Sequence, residues 1–228
     1  MRKFLIALAA LACSCALPPR PPPPAAPQAP VTVPVGPYQD YEVVSSRVEV
    51  RVYRDGPMAQ LGHNHLISSD ALTGTIQLRE PLRDSRFTLE LPLDSLIIDD
   101  VAARSAAGPE FAKAVSQADR DSTRRNMLGT ALLDAARQPV LRLNAESLEG
   151  EPPDLQARVR IGIRGEDRII QVPLSLRIEG EALSAHASVK LHHGDLGLTP
   201  FVVGLGALRV RDDIDVDCRL EARRSPPS

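Results

Sequence analysis

The sequence contains no tryptophan, and aromatic residues make up only 3% of its 228 residues. Proteins that stack bases or sugars need an aromatic platform, which this composition makes hard to build. Positive charge is not in excess either, because the sequence has 27 Lys and Arg residues and 29 Asp and Glu residues, for a formal net charge of −2. The charge balance argues against nucleic acid as a partner.

Cysteine is also scarce. Cys218 has only Cys13 and Cys15 as possible partners, so the sequence indicates no structural disulfide. We interpret Cys218 as a small buried apolar residue. A folded unit of ~150–200 residues buries roughly 70% of the surface that its unfolded chain exposes, and it is stable without a disulfide or a metal. The length therefore suits one good-sized domain or at most two small ones.

The chain lacks any apolar run of the ~20 residues that span a bilayer. Its first residues show a shorter pattern, in which two basic residues precede an apolar stretch over residues 4–12. This pattern predicts a secretory signal peptide over residues 1–12. Residues 10–13 resemble a bacterial lipobox, which implies that Cys13 is lipidated and anchors the protein to a membrane of the bacterial envelope. Ordinary cleavage and release into the periplasm is the alternative.

Proline and alanine dominate the stretch between Pro18 and Pro37, which has no core-forming pattern. We predict a disordered, extended tether over residues 13–40. The folded domain is predicted over residues 41–222, and residues 223–228 are predicted to be a disordered tail.

From Tyr41 onward, apolar and polar residues alternate, which is typical of strands with one buried and one solvent-facing side. Val48, Val50 and Val52, for example, alternate with polar or charged neighbours. Short Gly-containing turns at 165–167 and 179–181 connect three of the later strands. The pattern predicts about eight strands, near residues 48–53, 72–79, 87–94, 140–145, 155–164, 170–178, 183–191 and 214–220.

One segment interrupts the alternation. Residues 110–133 predict two short helices, with an N-cap at residues 121–123 between them, and Pro139 ends the helical stretch. The fold class is therefore all-β with a small helical insert, and the strand number favours a sandwich or a closed barrel.

An eight-stranded barrel is just wide enough to be filled by side chains or to hold one small ligand. The inward residues are mostly aliphatic, and small residues such as Ala185 and Ala187 leave room for a long apolar ligand. At ~3.3 Å per residue, such strands could line a channel of roughly 25–30 Å. The predicted ligand-facing residues are Leu89, Leu91, Leu93, Val159, Ile161, Ile163, Val172, Leu174, Leu176, Ala185, Ala187 and Val189.

Ordered segments between Val43 and Ala222 resemble the YceI-like lipid- and polyisoprenoid-binding proteins. The resemblance implies an extended, eight-stranded antiparallel lipocalin-like β-barrel of the bacterial envelope. It also implies binding of isoprenoid-type or other long amphiphiles without known catalysis. The segments are Gly62-His63-Asn64-His65-Leu66, Asp99-Asp100, Met127-Leu128, residues 134–139, residues 161–165, Val172-Pro173-Leu174, Asp195-Leu196-Gly197 and residues 212–216.

Polar residues near the predicted barrel mouth are candidates for contacting a ligand head group. His63 and His65 would share a face on a strand and could instead begin a metal site, with His186, His192 or His193 as a third ligand. Arg124 and Arg125 could bind a phosphate or simply lie on a solvated helix face.

The acidic pairs Asp99-Asp100 and Asp212-Asp213 are interpreted as solvated charges, and no nucleophile motif of the G-x-S-x-G type is present. We therefore predict no catalytic residue, no metal and no cofactor. Three hypotheses stand: binding, carriage or sequestration of a long lipid, a metal-dependent envelope enzyme using His63 and His65, and a ligand-free structural or interaction barrel. The oligomeric state stays open.

Overall fold

Long antiparallel strands dominate the computed structural model, which describes residues 38–225. Two helices lie between the fifth and sixth strands: α1 (Val101–Ala106) and α2 (Gln117–Leu128). The strands are β1 (Tyr38–Asp55), β2 (His65–Ser69), β3 (Thr73–Arg79), β4 (Arg86–Pro92), β5 (Ile97–Ile98), β6 (Val140–Glu151), β7 (Asp154–Ile163), β8 (Glu166–Glu179), β9 (Ala182–His192), β10 (Val202–Val203) and β11 (Leu208–Arg224).

Eight of these strands close into an antiparallel barrel in the order β1-β3-β4-β6-β7-β8-β9-β11. The closing contact is the pairing of β11 with β1, which extends from Tyr41 opposite Arg224 to Asp55 opposite Arg209. Closure gives the two terminal strands a partner and so removes the exposed sheet edges. The predicted all-β fold with a helical insert, an eight-stranded lipocalin-like barrel, is confirmed.

The three short strands were not predicted. One edge of β1 pairs with β3 along residues 38–42 and with β2 along residues 48–52, so β2 and β3 share that edge of β1. β5 pairs with β2 and leads the chain into the helical insert, while β10 pairs with the start of β11. β2 and β5 therefore position the insert against one end of the barrel.

The turn between β7 and β8 shows how the insert is fastened. Arg164 and Gly165 form this two-residue turn with φ values of 54° and 78°, as twisted hairpins require. The Gln138 side chain donates to the carbonyl of Gly162 and accepts from the N–H of Gly165, both at 2.7 Å. The end of the insert is thus hydrogen-bonded to the tip of a barrel hairpin.

The helix boundaries differ from those predicted. Ser116 caps α2 by accepting from the N–H of Asp119 at 3.1 Å, so the helix runs straight through the expected cap at residues 121–123. The expected second helix is instead the end of α2 followed by turns after Gly129. α1 precedes the predicted helical segment altogether, because Asp100 accepts from the N–H of Ala103 at 2.9 Å and starts a helix there.

The two faces of the barrel differ as the alternation requires. Inward residues form a continuous apolar lining, whereas outward residues pair across strands by charge. Arg142 contacts Glu90 at 2.8 Å, and Lys190 contacts Asp215 at 2.6 Å. Exposed pairs of this kind contribute little stability, about 0–1 kcal/mol each, but they keep the outer face polar.

The domain limits differ slightly from expectation. β1 begins at Tyr38 and β11 ends at Arg224, so strand pairing reaches into the predicted tether and the predicted tail. The predicted signal peptide, Cys13 and most of the tether lie outside the described residues, as do residues 226–228. Within the described part of the chain, no helix is long and apolar enough to cross a membrane.

Gly74 marks a close approach of two barrel strands. Its φ is +138°, and a Cβ added there would lie 2.1 Å from the carbonyl oxygen of Thr88 on β4. A side chain would strain the backbone and force β3 away from β4. We expect Gly74→Ala to lower the free energy of unfolding by about 2–4 kcal/mol, measured by denaturant titration.

Gly108→Ala is the matched control. Gly108 also has a positive φ, +100°, but a Cβ there would meet no atom within 4 Å. This variant should carry only the backbone strain of about 1–2 kcal/mol. Equal losses in the two variants would contradict the steric role of Gly74.

Candidate functional site

The barrel encloses a cavity of about 690 Å³, which opens at one end. Sites for small organic ligands have volumes of about 300–1,000 Å³. All of the predicted ligand-facing residues line this cavity: Leu89, Leu91, Leu93, Val159, Ile161, Ile163, Val172, Leu174, Leu176, Ala185, Ala187 and Val189. The alternation therefore identified the wall correctly, and binding by these residues stays a prediction.

The lining is not equally packed around the barrel. Inward residues of β4 and β7, such as Leu91 and Val159, are fully buried. Several inward residues of β8 and β9, such as Val172, Ala185 and Ala187, are only half-buried although they point inside. The small side chains of β9 therefore leave part of the interior unfilled, and the free space also reaches half-buried residues of β1, β6 and β11.

Cys218 belongs to the same wall. Burial raises the pKa of its thiol to about 11, so the side chain stays protonated and uncharged at neutral pH. It is a free cysteine, as the sequence indicated. Because reactivity requires the thiolate, Cys218 acts here as an inert apolar part of the lining.

Polar residues gather at the open end of the cavity. His63 precedes β2 and His65 begins it, and their ring centroids are 6.2 Å apart. The exposed turns of α2 face them and contribute Asp119, Ser122, Thr123 and Asn126 to the cavity lining. The site thus has an apolar interior and one polar end, which is the distribution of polarity in an amphiphile.

A buried network fixes the orientation of His65. Nδ1 of His65 lies 2.6 Å from Oδ2 of Asp99, while Oδ1 of Asp99 accepts from Arg104 at 2.5 Å and from the N–H of Leu66 at 2.8 Å. An ionised carboxylate only accepts hydrogen bonds, so Nδ1 carries the hydrogen in the neutral ring. Nε2 is then an acceptor, without a partner among the described residues.

Arg104 is the centre of this network. Its guanidinium also donates to the carbonyls of Asn64 at 2.6 Å, Phe111 at 2.8 Å and Lys113 at 2.8 Å. Burial alone would raise the pKa of Asp99, but the hydrogen bonds from His65, Leu66 and Arg104 outweigh burial and hold that pKa below its usual range. Asp99 is therefore ionised at neutral pH although its side chain is fully buried.

His63 has no such partner. Partial burial lowers its pKa, and the positive charge of nearby Lys113 lowers it further. Its imidazole is consequently uncharged at neutral pH. The polar end presents a neutral ring beside the oriented His65.

The solvated interpretation of Asp99 was wrong. Its carboxylate is buried because the β5 strand carries it beneath the insert, where Arg104 five residues later compensates its charge. Asp100 is exposed and caps α1, as a solvated residue would. The only sequence signal for the difference was the apolar Ile97-Ile98 pair directly before Asp99, since a buried strand can carry the next residue inside.

Arg124 and Arg125 do not line the cavity. Arg124 donates to the backbone carbonyl of Asp94 at 2.8 Å and to that of Leu96, so its guanidinium fastens α2 to the barrel. Arg125 is exposed. Neither guanidinium faces the polar end of the cavity in this structure.

A metal site does not form around the two histidines. Within residues 38–225, no three His, Cys, Asp or Glu side chains come together in a way that could hold a metal ion. The expected third ligands contact other residues. His186 contacts Asp217 at 2.8 Å, His192 contacts Asp212 at 3.4 Å, and His193 contacts the carbonyl of Asp212 at 2.7 Å.

A closed antiparallel β-barrel around an apolar cavity with one polar end defines the fold class of the protein. No family model and no curated protein matches the sequence. The structure is similar to that of Burkholderia cenocepacia BcnA, with 9% identity and a TM-score of 0.55, covering 77% of this chain and 95% of BcnA. A Campylobacter jejuni YCEI protein aligns at 10% identity and a TM-score of 0.48, covering 68% of this chain and 82% of its own. BcnA is YceI-like, so the YceI-like fold is confirmed.

The buried network makes a prediction about stability. Asp99→Asn preserves the size of the side chain but removes the charge that faces Arg104. We expect a loss of about 3–5 kcal/mol at neutral pH, because a buried guanidinium would lose its counter-charge. The folded pKa of Asp99 is lowered, so its contribution is present above the unfolded pKa of about 3.9 and is lost as pH falls through the folded pKa. Urea titrations should show the difference shrinking below about pH 4.

Asp100→Asn is the neighbouring control. Asparagine caps helices as well as aspartate does, and Asp100 is exposed, so this variant should differ from the wild type by less than about 0.5 kcal/mol. A loss for Asp99→Asn that matches the control, or that does not change with pH, would contradict the network.

Proposed function

We propose that this domain binds one long amphiphile of the isoprenoid-lipid type, with the hydrocarbon chain inside the barrel and the polar head beside His63 and His65. The apolar cavity of about 690 Å³ is the observation that carries the proposal. Its lining is aliphatic, so water inside would find few hydrogen-bonding partners. A hydrocarbon chain would remove apolar surface from water at about 25 cal/mol per Å².

We further propose that the chain belongs to the YceI-like family. The segments that carry the resemblance occupy coherent places in the barrel, with the Gly62-to-Leu66 segment and Asp99 meeting at the polar end. Binding of polyisoprenoids is what that resemblance implies. Carriage or sequestration in a bacterial envelope follows from the predicted signal peptide and the lipobox-like Cys13.

The charges at the polar end favour a neutral head group over a phosphate. Asp119 lines the end of the cavity and Asp99 lies behind His65, whereas the guanidinium of Arg104 is occupied by Asp99 and three backbone carbonyls. The other cations there also have partners: Arg54 donates to the carbonyl of Gly62 at 2.7 Å, Arg209 is paired with Asp55 at 2.7 Å, and Lys113 donates to the carbonyls of Gln60 and Gly62. A hydroxyl that donates to Nε2 of His65 would satisfy the acceptor without adding negative charge.

The first test is native mass spectrometry of gently extracted protein, which reports bound ligand and stoichiometry together. We expect co-purified lipid in the wild type and its loss in Ala187→Phe, because the larger ring fills the space against β9. Ser184→Phe places the same ring on the exposed face of that strand and should retain the lipid. A wild type that is consistently without lipid, or an equal fraction of lipid-bound protein in the two variants, would contradict the proposal.

The second test concerns the head group. Geranylgeraniol should bind more tightly than its monophosphate, by roughly tenfold or more, because the phosphate brings charge to an end that contains Asp119. His65→Phe removes the acceptor while keeping a ring, so it should weaken binding of the alcohol more than binding of a hydrocarbon of equal length. Displacement of a fluorescent lipid probe measures both. Tighter binding of the monophosphate would contradict the preference of the polar end for a neutral head group.

A further inference from the structure

Two loops beside the open end of the cavity expose large apolar side chains to solvent. One loop follows β1 and the other connects β9 to β11. Leu61 is 61% exposed, Val202 is 50% exposed and Leu205 is fully exposed. We call this surface the apolar rim, and it consists of Met58, Leu61, Phe201, Val202, Val203 and Leu205.

The loops that carry the rim contain no ionisable residue. Charged residues make up 25% of the sequence, yet residues 56–62 and 196–207 include none, and their polar side chains are Gln60 and Thr199. The two loops form one surface, because the N–H of Met58 donates to the carbonyl of Ala207 at 2.9 Å. Exposed apolar surfaces of this kind mark sites of interaction with proteins, membranes or ligands.

The rim is continuous with the interior of the barrel. Leu61, Phe201 and Val203 line the cavity and are also exposed to solvent. A hydrocarbon chain that leaves the cavity beside them stays in contact with apolar side chains until it reaches the surface. The path from the interior to the outside is therefore apolar along this half of the mouth.

Leu205 is held outward by an uncommon backbone conformation. Its φ is +56°, between glycines at 204 and 206 that also have positive φ. A residue other than glycine in this region is strained by about 1–2 kcal/mol, and its side chain gains no burial here. An apolar phase over the loop would recover part of these costs, because it would remove the Leu205 side chain from water.

We infer that the apolar rim docks on the surface of a lipid bilayer, so that a chain passes between bilayer and cavity without crossing water. The inference deepens the proposed binding of an amphiphile and rests on it. A protein partner would need about one hydrogen bond per 100–200 Å² of contact, and these loops offer only two polar side chains. The rim loops carry no charge of their own, and the nearby ammonium of Lys113 donates to the carbonyls of Gln60 and Gly62, so the surface matches a zwitterionic bilayer, which requires no pairing of charges.

The length of chain before the barrel is compatible with this orientation. β1 begins at Tyr38 and ends at Asp55, directly before the rim, so the strand separates the two by about 60 Å at ~3.3 Å per residue. Residues 13–37 could span about 80 Å if fully extended. A lipid anchor on Cys13 and the apolar rim could therefore contact the same bilayer.

The experiment is flotation with phosphatidylcholine vesicles. It uses residues 14–228, which keep the whole closed barrel but lack the predicted signal peptide and Cys13. These are removed because a signal peptide or a lipidated Cys13 would bind vesicles by itself. We expect the protein to float with the vesicles and binding to persist in 0.5 M salt. Leu205→Asp and Val202→Asp should each lower the partition coefficient roughly tenfold or more, because a charge replaces an inserted apolar side chain.

Val44→Asp is the matched control. Val44 is 57% exposed on β1, away from the rim, so this variant undergoes the same chemical change and should bind vesicles as the wild type does. Equal loss in Val44→Asp, or unchanged binding in the rim variants, would overturn the inference. Vesicle binding that is lost at high salt would also overturn the inference. A wild type that does not bind vesicles but self-associates, and loses that self-association in Leu205→Asp, would overturn it too.

The two proposals fail separately. Ala187→Phe blocks the cavity and leaves the rim intact, so it should float with vesicles although it holds no lipid. Leu205→Asp should retain co-purified lipid in native mass spectra, since Leu205 does not line the cavity. A wild type that contains no lipid but floats with vesicles would refute lipid binding and leave docking standing. A wild type that contains lipid but does not float with vesicles would refute docking and leave lipid binding standing.

Discussion

The pairing of β1 with β11 is the contact on which the rest of the structure depends. These are the longest strands, with 18 and 17 residues, and they pair over nearly their full length although they lie at opposite ends of the domain sequence. Without this contact the same strands would form an open, twisted sheet with an exposed apolar face and two free edges. Closure turns that face into an interior, and it fixes which residues can meet a ligand.

Closure alone does not decide whether the interior is packed or hollow. The outcome depends on the volume of the inward side chains, and these differ between the walls. β4 and β7 contribute large residues such as Leu91 and Ile161, which are buried by their neighbours. β9 contributes Ala185 and Ala187, beside Cys218 on β11, and these small side chains leave the space open. Wall atoms next to an empty space forfeit their dispersion contacts, so an apolar occupant stabilises the barrel as well as being stabilised by it.

The alternation of residues predicted the parts of the fold that depend on a period of two. All eight barrel strands and every residue of the expected cavity wall follow from it, because each strand has one face in water and one inside. β5, of two residues, is too short to show a period, and the start of α2 depended on the local cap at Ser116. The network of Asp99, Arg104 and His65 could not be predicted, since it joins β5, α1 and β2 and requires burial that only the folded insert provides.

That network and the apolar rim divide the mouth of the barrel into two unlike halves. On one side, Arg104 donates to four acceptors in three segments of the chain, and Asp99, one of the four, orients His65. On the other side, the loops of Leu61 and Phe201 meet through backbone contacts and present mostly apolar side chains, with no charged residue among them. An amphiphile has the same two requirements, a fixed hydrogen-bonding partner for its head and a continuous apolar path for its chain. Because different halves of the mouth supply them, the proposed exchange of the chain over the rim would leave the oriented histidine side intact.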